Sequence, residues 1–128
     1  MKQLLNIILA SFVFNASTAV AAEIQISCNV RTSVSSSEHQ TNYILNLEKL
    51  SVSDVTTEPT HIGELQISDN FYRLYFPETT TRYAHFAKIN RYTGKLNGEL
   101  GSPPFGESKA ENIDREGLCK KVENKKLF

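Results

Sequence analysis

The chain has 128 residues, with 14 Lys and Arg against 14 Asp and Glu, so its net charge gives no basis for a nucleic-acid or strongly anionic partner. That length suits one compact domain and excludes two. Cys28 and Cys119 are the only cysteines; an even count in an exported chain predicts one disulfide, and neither C-x-x-C nor a zinc-type cysteine–histidine spacing is present.

Residues 1–21 have the three parts of a secretory signal: Lys2, an apolar run over residues 4–14, and Ala19-Val20-Ala21 as a small-x-small cleavage site. The apolar run is well short of the roughly 20 residues a spanning helix needs, so the mature form, residues 22–128, is expected to carry no transmembrane segment. A lipoprotein anchor is not expected either, because Gln25 stands where an aliphatic residue would have to precede Cys28. Losing the leader removes Lys2 alone among the charged residues and leaves 13 basic against 14 acidic side chains.

Residues 23–31 alternate Ile24, Ile26, Cys28 and Val30 with Glu23, Gln25, Ser27 and Asn29, which predicts a half-buried strand with Cys28 facing the core. Residues 32–40, with four serines, read as a polar loop. Residues 41–47 set Tyr43, Leu45 and Leu47 against Asn42, Ile44 and Asn46, a strand pattern, although Ile44, Leu47 and Leu50 would also suit a short helix. Residues 53–60 read as a connection, with Pro59 biasing Glu58 toward extended geometry.

The densest signal lies over residues 64–100. A two-residue turn at Asp69-Asn70 pairs Ser68 with Phe71, Ile67 with Tyr72, Gln66 with Arg73, Leu65 with Leu74 and Glu64 with Tyr75. This register puts Leu65, Ile67, Tyr72, Leu74 and Phe76 on one face and Glu64, Gln66, Arg73 and Tyr75 on the other; a one-residue slip would mix the faces. Asp69 and Asn70 tolerate the positive φ of such turns although the usual Gly is missing from the second place, so Asn70→Gly is expected to be neutral or stabilising. Pro77 closes the strand, residues 78–82 connect, and residues 83–92 resume as a strand. Thr93-Gly94 then turns the chain into residues 95–100: a two-residue loop would pair Lys88 with Glu99, and a three-residue loop with a bulge at Gly94 would shift every pair.

Gly98, Gly101 and Gly106 surround Pro103-Pro104-Phe105, a composition that predicts a loop. Residues 108–111 match a capping box good for at most a turn of helix before Gly117, and residues 118–122 read as a last strand carrying Cys119. Short strands separated by turn signals predict an all-β domain, either a small antiparallel sandwich or a partly closed barrel of about six to eight strands, with one disulfide. Ile89-Asn90-Arg91-Tyr92-Thr93-Gly94, followed by Gly117-Leu118-Cys119 and a terminal Phe128, resembles the tail of short, largely uncharacterised exported proteobacterial proteins. That resemblance implies a compact β-rich secreted domain and carries no activity with it.

No catalytic motif is present. His39, His61 and His85 lie on separate segments without H-x-H or H-x-x-x-H spacing and read as solvated, so no metal or other cofactor is expected. The serines at 33 and 35–37 lack a G-x-S-x-G context. Counting back by twos from Phe128 meets Lys126 and Asn124, which excludes a lipid-facing barrel strand and leaves Leu127-Phe128 to tuck against the sheet.

A clearer signal is the interleaving of Arg73, Arg82, Lys88, Arg91 and Lys95 with Tyr72, Tyr75, Tyr83, Phe86 and Tyr92, against only Asp69 and Glu78. On a sheet this mixture could grip an anionic polymer, or it could be an ordinary outward face; export argues against nucleic acid. The loop at residues 101–108 reads as a recognition loop anchored by Phe105, or as a plug that folds Phe105 over an open end of the sheet. The candidate binding residues are thus Arg73, Tyr75, Arg91, Pro103, Pro104 and Phe105. Together these features predict a periplasmic or secreted binding or inhibitory module acting on an envelope or extracellular protein or glycan. The alternative is an enzyme whose site assembles only in three dimensions, which a concave pocket lined by two or more ionisable groups would signal.

Overall fold

The computed structural model describes residues 23–35, 37–105 and 112–122. The leader expected at residues 1–21, the capping box at 108–111 and the docking of Leu127-Phe128 lie outside these described residues. Among the described residues no helix is long and apolar enough to cross a membrane.

Eight strands follow one another: β1 (Glu23–Thr32), β2 (Glu38–Asn46), β3 (Ser51–Asp54), β4 (His61–Ile67), β5 (Phe71–Phe76), β6 (Ala84–Asn90), β7 (Lys95–Gly101) and β8 (Ile113–Lys121). Each pairs antiparallel with its sequence neighbour and β8 pairs back to β1, so the sheet closes on itself. Of the two architectures the sequence allows, the barrel forms, and its closure is complete. Closure removes both sheet edges, and eight strands leave an interior just wide enough for side chains to fill. Ile26, Cys28, Tyr43, Leu45, Val52, Leu65, Leu74, Phe76, Ile89 and Leu96 fill it from seven of the strands. Each such aliphatic side chain contributes about 1.5 to 3 kcal/mol. Cys28 and Cys119 stand directly opposite across the β1–β8 seam and are joined by the expected disulfide.

The first hairpin forms residue for residue, from Ile67 opposite Tyr72 to Glu64 opposite Tyr75. Its turn differs in kind. Among the described residues Leu50 is the only non-glycine with positive φ, so Asn70 is not left-handed. Instead Ser68 Oγ accepts a hydrogen bond from the Phe71 N–H at 3.2 Å, and the Arg91 N–H donates to the Asn70 carbonyl at 2.8 Å. Glycine at position 70 would therefore have no strain to relieve. Ile67, placed on the apolar face by the sequence, is exposed at the strand end.

Elsewhere the ladder extends beyond what composition announces. The expected serine-rich loop at 32–40 loses its far end to strand, because Asn29, Val30 and Arg31 pair with Gln40, His39 and Glu38. The Arg31 Nη2 donor reaches Glu38 Oε1 at 3.2 Å across that rim. Residues 41–46 are strand, not helix. The expected connection at 53–60 begins late, since Ser51–Asp54 is β3; its inward positions are Val52 and Asp54, and a buried aspartate breaks the apolar alternation.

The second hairpin has neither proposed register: Lys88 faces Asn97 across a four-residue loop, residues 91–94. Asn90 Oδ1 accepts the Tyr92 and Thr93 N–H groups at 2.8 and 3.0 Å, and Gly94 takes φ +78° to leave the turn. The last strand starts earlier than the expected residue 118, because β8 already runs from Ile113. Arg115 turns toward the barrel interior, hiding the alternation, and at Gly117 a Cβ would collide with the Asn29 carbonyl of β1.

Leu50 closes the β2–β3 turn with φ +53° and a side chain 51% exposed. A left-handed leucine costs about 1 to 2 kcal/mol, offset in part by the entropy a glycine would bring. Leu50→Gly should therefore stabilise the fold by roughly 0.5 kcal/mol in urea unfolding. A loss of stability would show that the leucine side chain packs more than its exposure indicates.

Candidate binding groove

The barrel wall over β4, β5 and β6 carries side chains on its outer face that the core does not use. Cross-strand pairing sets Glu64 opposite Tyr75 and Tyr75 opposite Phe86; one step along, it sets Gln66 opposite Arg73 and Arg73 opposite Lys88. These positions alternate with the inward Leu65, Leu74, Phe76 and Ala87, so the period of two that builds the core also builds this outer row. Tyr75 and Phe86 meet at 4.9 Å between ring centroids. From the far side of β7 the Pro103-Pro104-Phe105 segment folds back until Phe105 stacks on Phe86 at 6.2 Å. Asn112 pins the base of that segment: its Oδ1 accepts the Ser102 N–H at 2.9 Å and its Nδ2 donates to the Ser102 carbonyl at 3.0 Å.

Between wall and segment lies a groove of about 1260 Å³, lined mostly by carbon from Ile62, Tyr75, Pro77, Phe86, Pro103, Pro104 and Phe105. Glu64, Arg73, Glu78 and Lys88 also line it. Five of the six binding residues expected from sequence thus meet in one place, drawn from two stretches far apart in the chain. Phe105 is half-buried, and the ring contact the structure shows for it is with Phe86 on the outer wall. Residues 106–108 of the expected recognition loop lie outside the described residues.

Arg91, the sixth, lies at the β6–β7 turn outside the groove. Its Nη1 donates to the Ser68 carbonyl at 2.7 Å and its guanidinium lies 4.9 Å from the Tyr72 ring centroid, which ties one hairpin to the other. Phe86 and Lys88 were visible in the sequence as part of the basic and aromatic interleaving. Their place in the groove depends on the β5–β6 register, which the polar connection at 78–82 does not reveal.

A second polar cluster lies inside the barrel. His61 and His85 are buried, contrary to the solvated histidines expected, whereas His39 is exposed. His61 Nε2 donates to the Pro77 carbonyl at 2.7 Å, and His85 stacks on Phe76 at 4.2 Å. Burial, with the positive charge of Arg115 beside it, lowers His85 to about 3. It is therefore neutral near pH 7, and its 3.9 Å approach to Asp54 is not an ion pair. Asp54 Oδ1 is occupied by the Thr56 N–H and hydroxyl. Burial raises the Tyr43 phenol, whose oxygen accepts from Arg115 Nη2 at 3.4 Å. Among the described residues no three His, Cys, Asp or Glu side chains are grouped to hold a metal ion. No protein-family model, curated protein or solved structure matches the chain.

Proposed function

We propose that this is a small exported binding or inhibitory module that acts on another macromolecule, an envelope or extracellular protein or glycan, through the groove on its outer wall. The observation that carries the reading is a cluster of rings where the fold has no use for them. The barrel core is complete inside, yet Tyr75, Phe86 and Phe105 gather outside on one face. A contiguous apolar surface of this kind on a rigid scaffold is a recognition feature more often than an accident. The export half is supported by the Cys28–Cys119 disulfide, which belongs to an oxidising compartment, and by the leader-like residues 1–21. The tail resemblance points the same way.

One observation favours a second reading, an enzyme acting in the same groove, namely the four ionisable side chains on its wall. Acid–base work would need two of them within hydrogen-bond reach, and none of the four bonds to another.

Phe105→Ala separates binding from structure. Half-buried outside the core, Phe105 should cost the fold about 1 kcal/mol when truncated, while capture of a partner from an envelope extract falls by about tenfold, as for an aromatic anchor at an interface. A stability loss of roughly 3 to 5 kcal/mol would instead mark a core plug. Unchanged capture would end the groove reading.

A further inference from the structure

The groove is chemically polarised along its strands. At one end Arg73 and Lys88 stand directly opposite across β5 and β6, and both lie over the same Phe71 ring, at 5.5 and 4.2 Å from its centroid. Neither forms an ion pair: among the described residues the one pair of permanently charged side chains in contact is Arg31–Glu38. Two residues along each strand, roughly 7 Å away, Tyr75 faces Phe86, and Pro103, Pro104 and Phe105 wall that part in. Glu78 lies beyond Pro77 at the opposite end, and Glu64 flanks Tyr75.

The geometry points to an acidic polypeptide segment as the occupant, presenting an aliphatic or aromatic side chain to Tyr75, Phe86 and Phe105 and a carboxylate to Arg73 and Lys88. This rests on the groove being the binding surface. Like charges directly opposed on a sheet repel, and Phe71 offers them a ring face but no countercharge. A carboxylate bridging the two cations relieves the repulsion and forms charge-assisted hydrogen bonds with both.

The spacing sets the sequence of the occupant. In an extended chain residues i and i+2 share a face and lie roughly 7 Å apart, so the groove reads an apolar residue and an Asp or Glu two positions from it, in either chain direction. Glu64 and Glu78 set its polarity, because a carboxylate placed toward the proline end would meet like charge. Phe86 is flanked by Tyr75 and by Phe105, leaving a cleft for a side chain instead of the flat ring face on which a sugar would stack.

The test pans a displayed random-peptide library on the disulfide-bonded protein, then titrates the enriched peptides against wild type, Arg73→Gln/Lys88→Gln and Tyr75→Ala, each checked by melting. Enriched peptides should carry an apolar and an acidic residue separated by one position, in either order. Exchanging their acid for its amide should weaken binding about tenfold to wild type, and hardly at all to the doubly neutralised variant. Raising salt from about 0.05 to about 0.5 M should weaken wild-type binding several-fold. Peptides that need Tyr75 but no acid would overturn the acidic occupant and leave the groove as a binding surface. An oligogalacturonate that binds wild type, displaces the peptides and is lost in Tyr75→Ala would overturn the polypeptide occupant and likewise leave the groove as a binding surface. Absence of any ligand sensitive to Tyr75 would overturn both the occupant and the groove.

Discussion

Reducing the Cys28–Cys119 bond should lower the stability of the barrel by about 4 to 5 kcal/mol, because the bond closes a loop with a sequence separation of 91 residues. For a domain of this size that is comparable to its whole net stability, and it corresponds to a fall in melting temperature on the order of 20 °C. The location of the bond adds to the loop term. It joins the first strand to the last across the seam that makes the sheet a barrel, so its loss favours an opened sheet with two free edges as well as the unfolded chain. Melting with and without reductant measures the effect, and Cys28→Ala/Cys119→Ala should reproduce it without reductant. A fall of less than about 5 °C in both would show that the β1–β8 ladder holds the seam unaided.

Where the sequence is legible, two independent signals agree. From Glu64 to Phe76 the period-two pattern and the turn residues demand the same register, and that register forms. The second hairpin lacks this agreement: Thr93-Gly94 suggests a short loop, but the Asn90 side chain satisfies two loop N–H groups and makes four residues the stable length. β3 and the start of β8 are hidden because Asp54 and Arg115 take positions where a strand pattern calls for apolar residues. Barrel closure is itself a non-local fact. Nothing in residues 23–32 or 113–121 announces that they pair, apart from the two cysteines. The groove shows the same division: Arg73, Tyr75 and Phe105 can be singled out by type, but only the β5–β6 pairing brings Phe86 and Lys88 beside them.

The buried His85 imidazole makes stability depend on pH. His85 lies inside the barrel, stacked on Phe76 and 5.5 Å from the His61 ring, with burial the largest cause of its lowered pKa and Arg115, His61 and Arg82 adding to it. In the unfolded chain it protonates near 6.5, and in the folded barrel only near about 3. Above 6.5 it is neutral in both states and stability does not vary with it. As pH falls below 6.5 the unfolded state gains a proton the native state refuses, so this group's support is lost at up to about 1.4 kcal/mol per pH unit until pH approaches its folded value. Between about pH 7 and about pH 5, where most carboxylates are still ionised, the loss from His85 alone should be about 2 kcal/mol. Urea unfolding of wild type and His85→Leu across that range isolates it, since the leucine variant starts from a different baseline but should lack that part of the slope. An NMR titration gives the microscopic check: the His85 ring should hold its neutral shifts down to about pH 5. Parallel slopes for the two proteins, or a His85 ring that titrates near 6.5, would mean that the imidazole finds water in the barrel and that the interior around Asp54 and His61 is open to solvent.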